Sequence, residues 1–181
     1  QRELMSSYLF KFLILLPLVF LIDCFIVKEI ELQNKETFQT STKDKFDSSW
    51  AIDSNLFVYS ETAEATANNP QMWSIDLGEK TNLSSVKIYQ YEKNTKIFRN
   101  LTFYVSNLKP TIENYGNAAI ACYRLISDVE WKDFNLFIQC YTFPCSAQGR
   151  FFSIFRQAGT NLPIIISEIN IFAAMRGYLK N

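Results

Sequence analysis

Apolar and polar residues alternate with a period of two in several short stretches of this 181-residue chain. Trp73, Ile75 and Leu77 alternate with Ser74 and Asp76, and Gly78 closes the run. Val86 and Ile88 share a face and lead into Tyr89 and Tyr91. Leu101, Phe103 and Val105 share another, stopped by Asn107 and Pro110. Phe152 and Ile154 repeat the pattern after Gly149-Arg150, and Ile169 and Ile171 alternate with Glu168 and Asn170. Ile164-Ile165-Ile166 is a continuous apolar run. Successive side chains of a strand point to opposite faces, so this spacing predicts strands that each bury one face. Their β-branched and aromatic content agrees. Many short strands with irregular connections predict an all-β antiparallel sandwich or barrel. The connections 53–70 and 111–119 are long, and long loops on a rigid β scaffold are the usual carriers of binding residues.

The N-terminus is patterned differently. Residues 12–22 are unbroken apolar, Pro17 included, with Arg2 and Lys11 upstream, and apolar residues resume at Phe25, Ile26 and Val27. The uninterrupted run is short for a bilayer span and fits the hydrophobic region of a secretory signal peptide. Residues 1–27 are therefore read as a signal peptide, or as a single-pass membrane anchor over 8–27. Residues 28–36 read as a charged linker, and 37–176 as one folded domain. Both readings of the leader send the domain outside the cell or into a lumen. Asn82-Leu83-Ser84 and Asn100-Leu101-Thr102 are N-glycosylation sequons. Asn82 falls in an expected turn and Asn100 at the start of an expected strand. Cys122, Cys140 and Cys145 lie close in sequence, and an exported chain is expected to join two of them. Cys140, which closes the strand-like run 136–139, is the preferred partner of Cys122, with Cys145 the alternative.

Composition removes whole classes of chemistry. The chain has no histidine, which excludes Ser-His-Asp and Cys-His catalysis and histidine-based metal sites. With 18 Lys+Arg against 18 Asp+Glu, nothing favours a nucleic-acid partner, which needs a basic stripe. Paired carboxylates such as Glu61 and Glu64, or Asp128 and Glu130, can in principle hydrolyse glycosides, but nothing in the sequence sets them across a cleft. The chain is read as a non-enzyme.

Four motifs in order resemble one family. Gln39-Thr40-Ser41-Thr42, Ala51-Ile52-Asp53-Ser54-Asn55, the run Asn69-Pro70-Gln71-Met72-Trp73-Ser74-Ile75-Asp76-Leu77-Gly78 and Gly149-Arg150-Phe151-Phe152-Ser153-Ile154 resemble the F-type lectins (fucolectins). Ser167-Glu168-Ile169-Asn170-Ile171 resembles their last strand. These lectins belong to the wider discoidin or coagulation-factor C-type domain class. The resemblance implies an eight-stranded jelly-roll β-sandwich with ligand loops at one end. It also implies a structural calcium ion, with Asp53, Asn55 and Glu168 matching by residue type and Ser60, Ser167 and Trp50 as carbonyl donors. Asp76 is expected to point out of the core face and to need a partner, Arg150 being the candidate.

The family's fucose signature of one His, an Arg-x-Asp and a further cation is missing. Tyr91 and Lys93 stand where the Arg-x-Asp would fall, and Arg99 is the one cation that matches. Tyr91, Lys93 and Arg99 are accordingly the candidate ligand residues, with Tyr89 and Lys96 nearby. Aromatic faces beside hydrogen-bond donors suit a saccharide. The sequence thus reads as a secreted or membrane-anchored recognition module for a glycan, glycoprotein or protein surface, with homo-oligomers as a route to avidity. The alternative is a membrane-anchored structural interaction domain that has lost sugar binding and uses Phe57, Tyr59 or Tyr141 as interface anchors.

Overall fold

The computed structural model describes residues 25–114, 119–127, 129–133 and 137–176. Contacts divide the chain into a compact unit of residues 27–174 and a second made of 1–26 with 175–181. Ten strands occur among the described residues: β1 (Phe25–Glu29), β2 (Thr37–Gln39), β3 (Ser60–Glu61), β4 (Gln71–Tyr91), β5 (Leu101–Ser106), β6 (Ala119–Leu125), β7 (Lys132–Asp133), β8 (Ile138–Arg156), β9 (Ile165–Ile166) and β10 (Glu168–Arg176). A 3-10 turn, Ser48–Ile52, and one helical turn, α1 (Glu92–Thr95), complete the elements used below. The fold is the expected all-β antiparallel sandwich.

Two long strands organise it. β4 and β8 pair antiparallel from Gln71↔Arg156 to Tyr91↔Ile138, with breaks in register between Asp76 and Thr81 and between Leu83 and Ser85. Before the first break, β4 is flanked by β2, and β8 by β5 and then β6. After it, β4 is flanked by β10 and β8 by β7. One ribbon therefore contributes to both layers. Gly78 sits at the break with φ of 86°, a left-handed backbone that glycine adopts without steric cost.

The alternating residues meet between the layers. Trp73, Ile75, Phe103, Phe152 and Ile154 come from one, and Val86, Ile88, Phe143, Ile169 and Ile171 from the other. Phe103 and Phe143 cross edge-to-face at 5.0 Å between ring centres. The Trp73 indole N–H donates to the Ser48 carbonyl at 3.0 Å, so the largest buried ring leaves no orphan donor.

Three expectations change. The presumed linker 28–36 belongs to the domain: β1 lies beside β10, Leu32 is buried in the core and Lys35 Nζ donates to the Leu77 carbonyl. β1 is an edge strand whose side chains from Ile26 to Glu29 are all exposed, so its sequence carries no buried-face pattern. Residues 1–24 of the signal or anchor segment lie outside the described residues. Among the described residues no helix is long and apolar enough to cross a membrane. The disulfide joins Cys122 to Cys145, and Cys140 is free. Parity explains it: Phe143 and Cys145 share the core face of β8, whereas Cys140 is on the opposite face. Asn82 lies not in a turn but in β4, near the bend, and is exposed. Asn100 is exposed just before β5, with φ of 54°.

The expected partner of Asp76 is present. Arg150 Nε and Nη2 donate to its two carboxylate oxygens at 2.8 and 2.7 Å. The guanidinium hydrogen bonds, helped by the Gly78 N–H, hold the Asp76 carboxyl below the usual aspartate range against the opposing effect of burial. A depressed folded-state pKa contributes stability that is full above the unfolded value, near pH 4, and lost as pH falls through the folded one. The Asp76→Asn variant is accordingly expected to be less stable than the parent at neutral pH and to converge with it in acid. Urea unfolding across that range checks this, and a pH-independent gap would contradict it.

Candidate functional site

The outward face of β4 becomes aromatic at its end. Val86, Ile88 and Gln90 point inward and are buried, so Lys87, Tyr89 and Tyr91 face out and are half-buried. Tyr91 Oη donates to the Phe57 carbonyl at 2.7 Å, and its ring meets Tyr59 edge-on at 6.2 Å. Tyr59 in turn stacks on Phe46 at 4.7 Å and 17°, and Phe46 meets Trp50 edge-on at 5.9 Å. Lys93 Nζ lies 5.9 Å from the centre of the Tyr91 ring. Four half-buried rings thus form a continuous strip with a cation at one end. Burial, with Tyr59 a lesser cause, pushes the Tyr91 hydroxyl pKa up, so the hydroxyl stays a neutral donor at physiological pH. Phe57 beside it is 66% exposed.

The loop under this strip is built from asparagine and aspartate turns. Asp53 Oδ1 accepts from the Asn55 N–H at 2.8 Å, and Asn55 Oδ1 from the Phe57 N–H at 3.1 Å. Ser54, at φ of 62°, stands where the resembling family has glycine, and its N–H donates to Glu168 Oε2 at 3.0 Å. Glu168 opens β10 opposite Tyr89 and is only 8% exposed. Burial raises its pKa to about 8; the Ser54 N–H opposes the shift and the nearby Asp53 charge adds to it.

No family model and no curated protein matches the chain by sequence. Solved structures match it in fold. A fucose-binding module of Streptococcus pneumoniae, SpX-3, superposes with a TM-score of 0.59 at 18% identity, over 85% of this chain and 99% of that one. The family 32 carbohydrate-binding module of Clostridium perfringens NanJ, solved with galactose, gives 0.55 at 22% identity over 81% and 99%. The striped bass serum fucolectin gives 0.59 at 17% identity, over 83% of this chain and 48% of that one. The chain has the fold of these carbohydrate-binding modules.

On this fucolectin-like sandwich the predicted residues fall into three groups. Tyr91 and Lys93 come together on the strip. Arg99 does not join them through any contact of its side chain among the described residues; it is exposed, and its carbonyl is held by Arg156 Nη1 at 2.6 Å. Asp53, Asn55 and Glu168 are gathered by the loop. Ser60 and Ser167 are buried at the adjoining β3–β9 pair, where Ser60 Oγ donates to the Ile166 carbonyl at 3.5 Å. Calcium takes about 6–8 oxygens. Asp53 on the curled loop and Glu168 at the head of β10, the latter buried and receiving the Ser54 N–H from that loop, are carboxyl groups of the kind such an ion takes, with carbonyls supplying the remainder.

Two residues raised by the sequence, Tyr141 as an interface anchor and Glu61 as a hydrolytic carboxylate, read differently. Tyr141 packs on the core, 4.7 Å from Phe143 between ring centres. Glu61 is buried and paired with Lys43 at 2.8 Å. The sequence reading missed Phe46. Its four-residue spacing to Trp50, across the capping Asp47, is the local signal that could have found it.

Proposed function

We infer that the chain is a non-catalytic recognition module for glycans, working outside the cell or in a lumen, with the strip of Tyr91, Tyr59 and Phe46 as its binding surface. The observation that carries this reading is the strip itself: half-buried rings with the Lys93 ammonium beside them, on a fold shared with fucose- and galactose-binding modules. A pyranose presents one apolar face and a belt of hydroxyls, which ring faces and donors complement. With no histidine in the chain, fucose would have to be held differently from the family's signature.

A calcium ion held by Asp53 and Glu168 would stiffen the loop that carries Phe57 and Tyr59. Calcium is expected to raise the melting temperature of the parent and not that of Glu168→Gln, since a ligand that binds only the folded state stabilises it by mass action. A melting temperature indifferent to calcium and to chelator would remove the ion from the reading.

The test of function is a glycan array probed with the full chain, with calcium and then with chelator. Binding is expected, and Tyr91→Ala is expected to weaken the leading hit about tenfold, equivalent to about 1.4 kcal/mol. The 66% exposure of Phe57 supports the second reading, a protein-binding surface. A blank array from a folded chain would favour it.

A further inference from the structure

A concavity that shares no residue with the aromatic strip lies on the outward face of β5, β6 and β8. Its volume is about 500 Å³, within the range of sites that hold small ligands. Register places its main groups. Thr102 of β5 is the neighbour of Arg124 on β6 and of Phe155 on β8, so the three form one row across three strands. Tyr104, two residues along the same face, meets Phe155 edge-to-face at 6.2 Å. Gln157 lines the rim, and so does Asn100 where its sequon carries no glycan. The lining thus holds two rings, three aliphatic side chains, the hydroxyls of Thr102 and Thr160, two amides and one guanidinium.

Charge narrows the occupant. The chain as a whole balances its acids and bases, yet no carboxylate lines this concavity, and Arg124 is its single charged group. Among the described residues no ion pair joins Arg124 to an acid. An exposed guanidinium offers a planar fork that matches a carboxylate with two parallel hydrogen bonds. Two rings, amides at the rim and an unpaired fork together fit a ring that is apolar on one face, hydroxylated at its edge and carries one carboxylate.

We propose that this concavity is a second ligand site, specific for a carboxylate-bearing pyranose, in which Arg124 holds the carboxylate and Tyr104 with Phe155 supports the sugar ring. The site shares no residue with the Tyr91 strip and stands whether or not that strip binds glycans.

The test uses the full chain in NMR titrations with the methyl glycosides of glucuronic acid and of N-acetylneuraminic acid, each beside its methyl ester. The ester keeps the shape and removes the charge. At least one acid is expected to bind saturably with shifts centred on residues 100–104 and 124. Its ester is expected to bind at least tenfold more weakly. Arg124→Gln is expected to bring the acid down to the level of the ester. Arg124 is exposed, so the variant should keep the parent amide spectrum. Equal affinity for acid and ester, shifts confined to the Tyr91 strip, no binding of either acid, or an Arg124→Gln variant that binds like the parent would each overturn the proposal.

Discussion

Gly149→Ala is expected to destabilise the domain by about 3 kcal/mol, the upper range for forcing an atom into a packed site. A Cβ on Gly149 would lie 2.6 Å from Val105 Cγ1 and 2.7 Å from the Ser106 carbonyl oxygen. The Val105 methyl has some freedom, but the Ser106 oxygen is backbone, in a strand paired to β8 over the adjacent residues. Relief therefore requires β5 and β8 to part. Gly159→Ala is the control. Nothing stands within 4 Å of its added carbon, and only its φ of 82° resists, so about 1 kcal/mol is expected. Urea unfolding of both variants separates a steric cause from a conformational one. A Gly149→Ala variant no less stable than Gly159→Ala would refute the account.

Arg156→Met is expected to cost about 2–6 kcal/mol, because two part-buried carbonyls lose their donors at about 1–3 kcal/mol each. Arg156 is fully buried, and it donates from Nη1 to the Arg99 carbonyl at 2.6 Å and from Nη2 to the Ile97 carbonyl at 2.9 Å. Its partners are dipoles rather than a carboxylate, and burial, with Arg99 nearby, depresses its pKa to about 10. Methionine fills much of the volume and supplies no donor, so the loss reports the hydrogen bonds more than a cavity. Arg156→Lys, with one ammonium for two separated carbonyls, should recover only part. Hydrogen exchange should show the amides of residues 97–100 losing protection first. A methionine variant as stable as the parent would mean that water satisfies both carbonyls.

The strands were legible where apolar and polar side chains alternate. Leu101 to Val105 and Ile169 to Ile171 keep the period of two because alternate side chains lie on the core, and Trp73 to Leu77 keeps it although Ser74 and Asp76, on the opposite face, are buried too. The continuity of β4 was not legible. Gly78 reads as a stop, but the pairing resumes at Thr81, since a left-handed residue can turn a ribbon without ending it. The same bend hides the placement of Asn82. The loop acids were found by motif, yet the Ser54–Glu168 hydrogen bond spans 114 positions, which no local pattern encodes. The aromatic strip is harder still. Phe46, Tyr59 and Tyr91 come from three separate segments and meet only through tertiary packing.

The bond between Cys122 and Cys145 links the edge strand β6 to the central ribbon, and Arg124 is two residues from it. β6 otherwise holds on through its pairing with β5. In a reducing compartment the sandwich keeps its buried layers while its outermost strand loses a covalent tether, and with it one wall of the acidic-sugar concavity. Chain made in a reducing cytosol and chain made in an oxidising lumen would then differ in what they bind before they differ measurably in fold, so the history of a preparation becomes a variable in every affinity measured on it.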